Sequence, residues 1–188
     1  ESLISHAKVH GYTVQNRISS TASLRLSSMP DNSGVVAFSR LSATKTDNTV
    51  VNFYNIDDIF AEPVNGIGEA TFTVYEANRA VIDQRFFVEE NTQSISIPDK
   101  NMDIRTLKIF VDDQEYIRGN STDSDIYENQ NIYFLENTTT GFEVIFSSRI
   151  VGEPLTTDSV ITVSYLVSSG SNGNNASSFS FVGTPLAP

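Results

Sequence analysis

The sequence predicts a mainly β protein, an antiparallel sandwich or one or more barrel-like β domains, with a short N-terminal helix. Three observations support this class. Short segments in which apolar and polar residues alternate recur along the chain. Clusters of Gly, Asn, Asp and Pro separate most of these segments, as turns do. Phe and Tyr occur 12 and 7 times, and aromatic side chains pack well on a pleated surface.

Residues 1–12 are expected to be the end of a helical segment. Leu3, Ile4 and Ala7 fall on one helical face, and Gly11 stands where a C-terminal cap belongs. Because the chain begins at Glu1 without Met, we expect it to be part of a longer protein.

Residues 13–167 are expected to form the β domain, with a subdivision near 98–106 left open. Residues 22–26 alternate Ala, Leu and Leu with Ser and Arg, which indicates a half-buried strand. Further strands are expected at residues 35–38, 49–54, 70–75, 85–89, 94–97, 107–111, 132–135, 142–146 and 160–167. Residues 56–60 are expected to form one helical turn.

Residues 168–188 are expected to be a flexible connection to a following domain. Their first part, SSGSNGNNASS, is low in complexity and rich in Ser, Gly and Asn, as flexible linkers are. An alternative left open is that residues 179–182 and the tail add an edge strand.

Composition excludes several classes of function. The formal net charge is −11, with 12 Lys and Arg against 23 Asp and Glu, whereas a nucleic-acid binder normally carries a basic patch. The chain has no Cys, which excludes a disulfide or thiolate zinc site and fits a reducing compartment. No apolar run approaches the roughly 20 residues of a membrane helix, and no signal peptide is visible. We therefore expect neither a nucleic-acid nor a membrane partner.

His6 and His10 are the two histidines of the chain, and their i, i+4 spacing on a helix would suit a metal ion. A zinc site needs three or four protein ligands, and the sequence offers neither a Cys nor a third His. An exposed helix face explains the pair better, so we expect no metal or other cofactor.

The acidic residues offer two further candidate sites. Asp123, Asp125 and Glu128 resemble a fragment of a calcium loop, but the other oxygen ligands and the Gly of that motif are missing, so a solvated loop is expected. Asp57-Asp58 and Asp112-Asp113 are paired acids. Glycoside hydrolysis requires two carboxylates that face a sugar-binding cleft, and sequence alone does not show such an arrangement.

No motif of nucleophilic or phosphate-binding enzymes is present. The chain has no G-x-S-x-G elbow, and the cluster Gly170–Gly173 lacks the Lys of a phosphate-binding loop. The glycosylation sequons at Asn120 and Asn137 matter only in a secreted eukaryotic chain. From these residues we expect no enzyme and no catalytic residue.

A series of weak motifs follows one order along the chain. Its members are Ala7-Lys8-Val9-His10-Gly11-Tyr12, the strand at 22–26, Val51-Asn52-Phe53 before Asp57-Asp58-Ile59, and Ile97-Pro98-Asp99-Lys100-Asn101-Met102-Asp103. They continue with the strand at 107–112, Glu115-Tyr116, residues 133–136 and 142–146, Gly152, residues 160–165, Gly170 and Gly173-Asn174. In this order the sequence resembles the baseplate wedge proteins of contractile-tailed (T-even-like) bacteriophages, the baseplate J-like family. Ser147-Ser148 and Ala77-Asn78 depart from the turns that are usual in that family.

This resemblance implies a structural role without an active site. Such a protein would assemble the wedge of a contractile tail baseplate through protein–protein contacts with other wedge subunits and a second copy of itself. It would be located in the virion after assembly in the host cytoplasm. The alternative is a carbohydrate- or receptor-binding β-sandwich module of a tail fibre or surface protein. That module would need aromatic residues exposed on a concave face, and the candidates are Tyr12, Tyr54, Tyr75, Tyr116 and Tyr127.

Overall fold

The computed structural model describes residues 16–29, 34–64, 67–90, 92–119, 131–146, 155–183 and 186–187. These residues form strands and short 3-10 helices and contain no α-helix, so the predicted mainly β class is confirmed. The helix expected within residues 1–12 lies outside the described residues. The chain divides into two compact units. We call Asn16 with Val81–Tyr165 the barrel unit, and Arg17–Ala80 with Leu166–Pro188 the half-barrel unit.

The described residues contain sixteen strands, which are numbered in chain order. They are β1 Thr21–Met29, β2 Gly34–Val35, β3 Arg40–Lys45, β4 Val50–Tyr54, β5 Ile59–Phe60, β6 Glu62–Val64, β7 Ile67–Glu76, β8 Arg79–Phe87, β9 Ser94–Ile97, β10 Lys108–Val111, β11 Gln114–Arg118, β12 Ile132–Asn137, β13 Phe142–Phe146, β14 Val160–Val167, β15 Ala176–Phe181 and β16 Leu186–Ala187. The 3-10 helices are Ile104–Thr106 and Ser171–Gly173.

The half-barrel unit is built on a curled sheet with the order β1-β7-β4-β3-β15, and β6 pairs with β7 beside it. All its pairings are antiparallel. A small three-stranded sheet has the order β16-β2-β5. The core of the curled sheet consists of Leu41, Ala43, Val51, Phe53, Phe72 and Val74.

Strand β15 closes one side of that core with two aromatic residues. The Phe179 ring lies edge-on against Phe53 at 5.0 Å between ring centroids, and the Phe181 ring stacks on Phe72 at 6.5 Å. Such aromatic pairs contribute about 0.5–1.5 kcal/mol beyond the area they bury. The Ser-rich segment thus supplies packing to its own unit.

The barrel unit is a nearly closed sheet with the order β8-β14-β10-β11-β12-β13-β9. Strand β10 pairs antiparallel with β11 and β14, and β13 pairs antiparallel with β12 and β9, whereas β11 and β12 are parallel. Its strands alternate buried and less buried residues, as in β13 and β10, which places one face of each strand in the interior. The largest fully buried side chains of the unit include Ile97, Met102, Ile109, Phe142, Phe146 and Tyr165.

The division into units differs from the limits expected from sequence. The chain passes from one unit to the other at residues 80–81 and 165–166, not near 98–106. Residues 168–181, expected to be a flexible connection, contain a 3-10 helix and strand β15, which is hydrogen-bonded to β3. The physical reason is that Phe179 and Phe181 bury apolar surface against Phe53 and Phe72, and this stabilises a segment whose composition is typical of a linker.

The helical turn expected at residues 56–60 is wrong. Ile59–Phe60 is strand β5, which pairs with Gly34–Val35. The preceding turn is held by side chains, because Asn55 Nδ2 donates to the Asp57 carbonyl at 2.7 Å and Asp58 Oδ1 accepts the Ala37 N–H at 2.7 Å. Asn and Asp often form such local bonds in place of helical ones.

The burial of Tyr133 is expected to make the free energy of unfolding depend on pH. Burial raises the pKa of Tyr133 to about 12, with a smaller opposing effect of Arg118. The folded protein therefore keeps this proton between pH 10 and 12, where the unfolded chain loses it. We expect the stability that this group contributes to be complete below pH 10 and to be lost as the pH rises towards 12.

Alkaline unfolding monitored by circular dichroism, together with absorbance titration of the tyrosines, checks this expectation. The variant Tyr133→Phe should lose less stability over that pH range and should lack one tyrosine that titrates near pH 12. Identical alkaline unfolding of the variant and the natural sequence would contradict it.

Candidate functional site

The residues that the sequence singled out do not form one site in the described part of the chain. His6, His10 and the acids of residues 123–128 lie outside it. Asp57-Asp58 belongs to the half-barrel unit and Asp112-Asp113 to the barrel unit. Among residues 16–29, 34–64 and the other described ranges, no group of three or more His, Cys, Asp or Glu is placed to hold a metal ion.

Asp112-Asp113 forms the two-residue turn between β10 and β11. Both residues have positive φ angles, 48° and 64°, which is the geometry of the type I′ hairpin turn, where Asp and Asn are favoured. Asp112 Oδ1 accepts the Val160 N–H at 2.9 Å. A hydrogen bond from Ser159 and this bond from Val160 lower the pKa of Asp112. These contacts assign this acid pair a structural role.

Asp99 also serves the fold of the barrel unit. Its Oδ2 accepts a hydrogen bond of 2.5 Å from the Tyr165 hydroxyl, and its carbonyl accepts the Met102 N–H at 3.0 Å. Tyr165 is among the largest fully buried side chains, so its hydroxyl requires a partner. The Asp-containing turn is thereby fixed against strand β14.

Asp57-Asp58, by contrast, lies at a cleft of the half-barrel unit. The cleft has a volume of about 470 Å³ and lies between residues 55–60 and the central part of β7, within the usual size range of small-ligand sites. Both aspartates are exposed. Thr73 and Tyr75 of β7 line the opposite side. Of the described residues that line this cleft, none is Lys or Arg.

Asn55 lines the same cleft and is buried to all but 1% of its surface. Its Nδ2 donates to the carbonyls of Val36 and Asp57 at 2.8 and 2.7 Å. Its Oδ1 has no hydrogen-bond donor among the described residues. A buried acceptor left unpaired lowers the free energy of unfolding by about 1–3 kcal/mol. The fold tolerates this loss of stability at Asn55.

Phe60 provides the exposed aromatic ring of this region, with 69% of its surface accessible. It lies in the short strand β5 beside Gly34, where an added Cβ would come within 3.2 Å of the Phe60 ring. Sequence reasoning missed this residue because it considered tyrosines only. The sequence did offer a signal for Phe60, namely the apolar pair Ile59-Phe60 directly after a polar turn.

The tyrosines considered for a binding module have other environments. Tyr54 is buried, and burial raises its pKa. The Tyr116 ring lies edge-on against Phe146 at 5.8 Å. Tyr75 is partly buried and lines the cleft, whereas Tyr12 and Tyr127 lie outside the described residues. Of the described candidates, Tyr75 is therefore the one placed at a concave surface.

A buried carboxylate was also missed by sequence reasoning. Glu76, with 1% of its surface accessible, accepts hydrogen bonds from the Ser169 hydroxyl at 2.5 Å and from the Ser169 N–H at 3.2 Å. Gly173 packs against it, since a Cβ there would come within 2.7 Å of Glu76 Cβ. The Ser/Gly segment is thus ordered around a charge, and its polar composition supplies the hydrogen bonds that a buried carboxylate requires.

Comparisons with known proteins leave the family of the chain open. No protein-family model matches the sequence, and no curated protein matches it significantly. Within the residues that the structure describes, no helix has the length and hydrophobicity needed to cross a bilayer.

Proposed function

We propose that this chain is a structural subunit of a contractile phage tail baseplate, which acts in wedge assembly as a protein–protein scaffold. The order of motifs along the sequence supports this role, because it resembles the baseplate J-like wedge proteins. An antiparallel barrel-like domain preceded by a short N-terminal helix belongs to the same proposal. Its partners are other wedge subunits and a second copy of the chain, and its location is the virion.

The observation that carries the proposal is the exposed end strand of the barrel unit. Strand β8 stands at one end of the sheet order, next to β14. Its Ile82 and Phe87 have 51% and 71% of their surface accessible. A strand at a sheet edge presents unpaired backbone groups to a neighbouring chain, and exposed apolar side chains beside them add buried area to such a contact.

Asp83 limits how this edge is used. It has a φ angle of 52°, which is not that of an extended strand, and its N–H donates to the Ser164 hydroxyl of the neighbouring strand β14 at 2.9 Å. Irregularities of this kind protect edges from indiscriminate pairing. A neighbouring subunit would therefore pair with the part of β8 after Asp83, where Phe87 lies.

Co-expression with the proteins encoded beside this chain tests the proposal. We expect a complex that survives size-exclusion chromatography, because a stable contact buries about 1,200–2,000 Å². The double variant Ile82→Ser/Phe87→Ser should weaken the complex by about tenfold or more, which corresponds to about 1.4 kcal/mol.

The matched control is Val50→Ser, which replaces an apolar residue of 63% exposure in the half-barrel unit. This control should leave the complex intact. A chain that stays monomeric with every neighbour, or a complex that the β8 variant does not weaken, would contradict the proposal.

A further inference from the structure

We propose that strand β8 pairs antiparallel with β8 of a second copy of this chain, across a two-fold axis at Phe87. The inference rests on the proposed use of β8 as a docking edge, and it identifies the neighbour at that edge as a second copy. It depends on residues 85–89, which have the sequence Arg-Phe-Phe-Val-Glu. In an antiparallel two-fold contact a segment meets its own reverse, so the segment must be complementary to that reverse.

The side chains of this segment alternate between the two faces of the strand. Arg85, Phe87 and Glu89 are exposed, whereas Phe86 is half-buried and Val88 is buried. Successive side chains of a strand point to opposite faces, so the three exposed residues form one outward row. Phe87 has 71% of its surface accessible. The outward row therefore presents a cation, an aromatic ring and an anion in that order.

The backbone of Phe87 is oriented for such a contact. The Val88 N–H donates to the Ser159 carbonyl at 2.9 Å, and the Val88 carbonyl accepts the Asp158 N–H at 2.9 Å. The backbone groups of Val88 thus point towards the chain that leads into β14, and those of Phe87, one residue earlier, point to the other side. Among the described strands, none pairs with β8 on that side. The N–H and C=O of Phe87 are therefore directed at the second copy.

The outward row is complementary to its own reverse. When Phe87 lies opposite Phe87 of the second copy, Arg85 of each copy lies opposite Glu89 of the other. Opposite charges and aromatic pairs that face each other across two strands are stabilising, and like charges are destabilising. Neither Arg85 nor Glu89 forms an ion pair with another described residue. The chain itself therefore supplies the segment that complements this edge.

The paired segment is expected to be short. The Glu89 N–H already donates to Thr92 Oγ1 at 2.9 Å, and the Glu89 carbonyl accepts the Thr92 N–H at 3.1 Å, so Glu89 contributes its side chain rather than a regular ladder. At the other end, the φ angle of 52° at Asp83 interrupts the extended strand. Contacts that bury less than about 1,200 Å² are weak, so we expect a dimer that dissociates on dilution.

Sedimentation velocity of the isolated chain over a dilution series tests the proposal. We expect a monomer–dimer equilibrium for the natural sequence. Arg85→Glu places a second anion opposite Glu89, and Glu89→Arg places a second cation opposite Arg85, at both ends of the contact. Each single variant should therefore dimerise more weakly by about tenfold or more. Both positions are exposed, and circular dichroism checks that the variants fold.

Two rescue experiments establish the register. The double variant Arg85→Glu/Glu89→Arg reverses the row and restores opposite charges at both ends, so it should dimerise as the natural sequence does. An equal mixture of the two single variants should form a mixed dimer, because each variant complements the other. A parallel contact in register would place like charges opposite each other in the natural sequence and in the double variant. Rescue by the double variant would therefore exclude a parallel contact.

Glu136→Arg is the matched control. It makes the same charge change as Glu89→Arg at another exposed position of the barrel unit, and it should leave dimerisation unchanged. Both variants make the chain less negative than its formal net charge of −11. A general charge repulsion between copies would therefore predict tighter association of Glu89→Arg, which is opposite to the expected weakening.

Three results would overturn the proposal. They are a chain that is monomeric at every concentration, single variants that dimerise as the natural sequence does, and the absence of dimers in both rescue experiments. A monomeric chain whose β8 amides become protected only in a complex with a different protein would overturn the β8 dimer and leave the assembly role intact. A dimer with the expected variants but without a complex with any neighbouring protein would support the β8 pairing and contradict the baseplate role.

Discussion

Replacing Phe53 by alanine is expected to lower the free energy of unfolding of the half-barrel unit by about 3–5 kcal/mol. Phe53 is among the largest fully buried side chains, and its ring lies against Phe179 of β15. Truncation would leave a cavity between β4 and β15 and remove the aromatic contact that holds the Ser-rich strand.

Chemical denaturation with residue-resolved hydrogen exchange measures this effect. Because the two units need not unfold together, exchange is compared between them. In the Phe53→Ala variant we expect faster amide exchange only in residues 17–80 and 166–183. Phe60→Ala, the same substitution at an exposed position of the same unit, should cost about 1 kcal/mol or less. Equal costs of the two substitutions would contradict the assigned core.

Replacing Glu76 by alanine is expected to cost about 3 kcal/mol, because hydrogen bonds to a charged group contribute about 1.5–3 kcal/mol each. The carboxylate accepts from the Ser169 hydroxyl and N–H, and its side chain packs against Gly173. The amides of residues 169–175 should then exchange faster.

Glu69→Ala is the matched control on the same strand. Glu69 forms an exposed ion pair with Arg25, with 2.6 Å between Glu69 Oε2 and Arg25 Nη2. Exposed pairs contribute about 0–1 kcal/mol, so this variant should change stability little. If Glu76→Ala were no more costly than Glu69→Ala, the segment after β14 would not be organised by the buried carboxylate.

Strands with strong apolar alternation were predicted well from the sequence. Those at 94–97, 142–146 and 160–167 coincide with β9, β13 and β14. Their apolar residues face a core, and burial of one face fixes both the strand and its register. At these positions the alternation of apolar and polar residues was therefore sufficient to predict the strands.

Strands with weak patterns, such as β3 and β11, were missed, and β15 was anticipated only by the alternative of an edge strand at residues 179–182. β11 has the sequence QEYIR and is exposed over most of its length, so no apolar alternation marks it. β3 buries only Leu41 and Ala43 among polar residues. β15 resembles a linker, and its strand state depends on two Phe rings that pack against residues more than 100 positions earlier. The local sequence pattern does not reveal such long-range contacts.

The candidate site was predicted in part. Asp57-Asp58 was singled out as an acid pair, and these residues line the cleft. The remaining features depend on tertiary structure. The burial of Asn55, whose Oδ1 has no donor among the described residues, and the exposure of Phe60 arise from how residues 55–60 turn against residues 34–37, which no spacing in the sequence reveals.

Hydrogen exchange of strand β8, alone and in complex with a neighbouring subunit, tests the assembly role most directly. We expect the amides of residues 84–87 to become protected on complex formation, while those of β15 and of residues 55–60 keep their rates. Unchanged exchange along β8 in a stable complex would mean that this edge does not dock a neighbouring subunit.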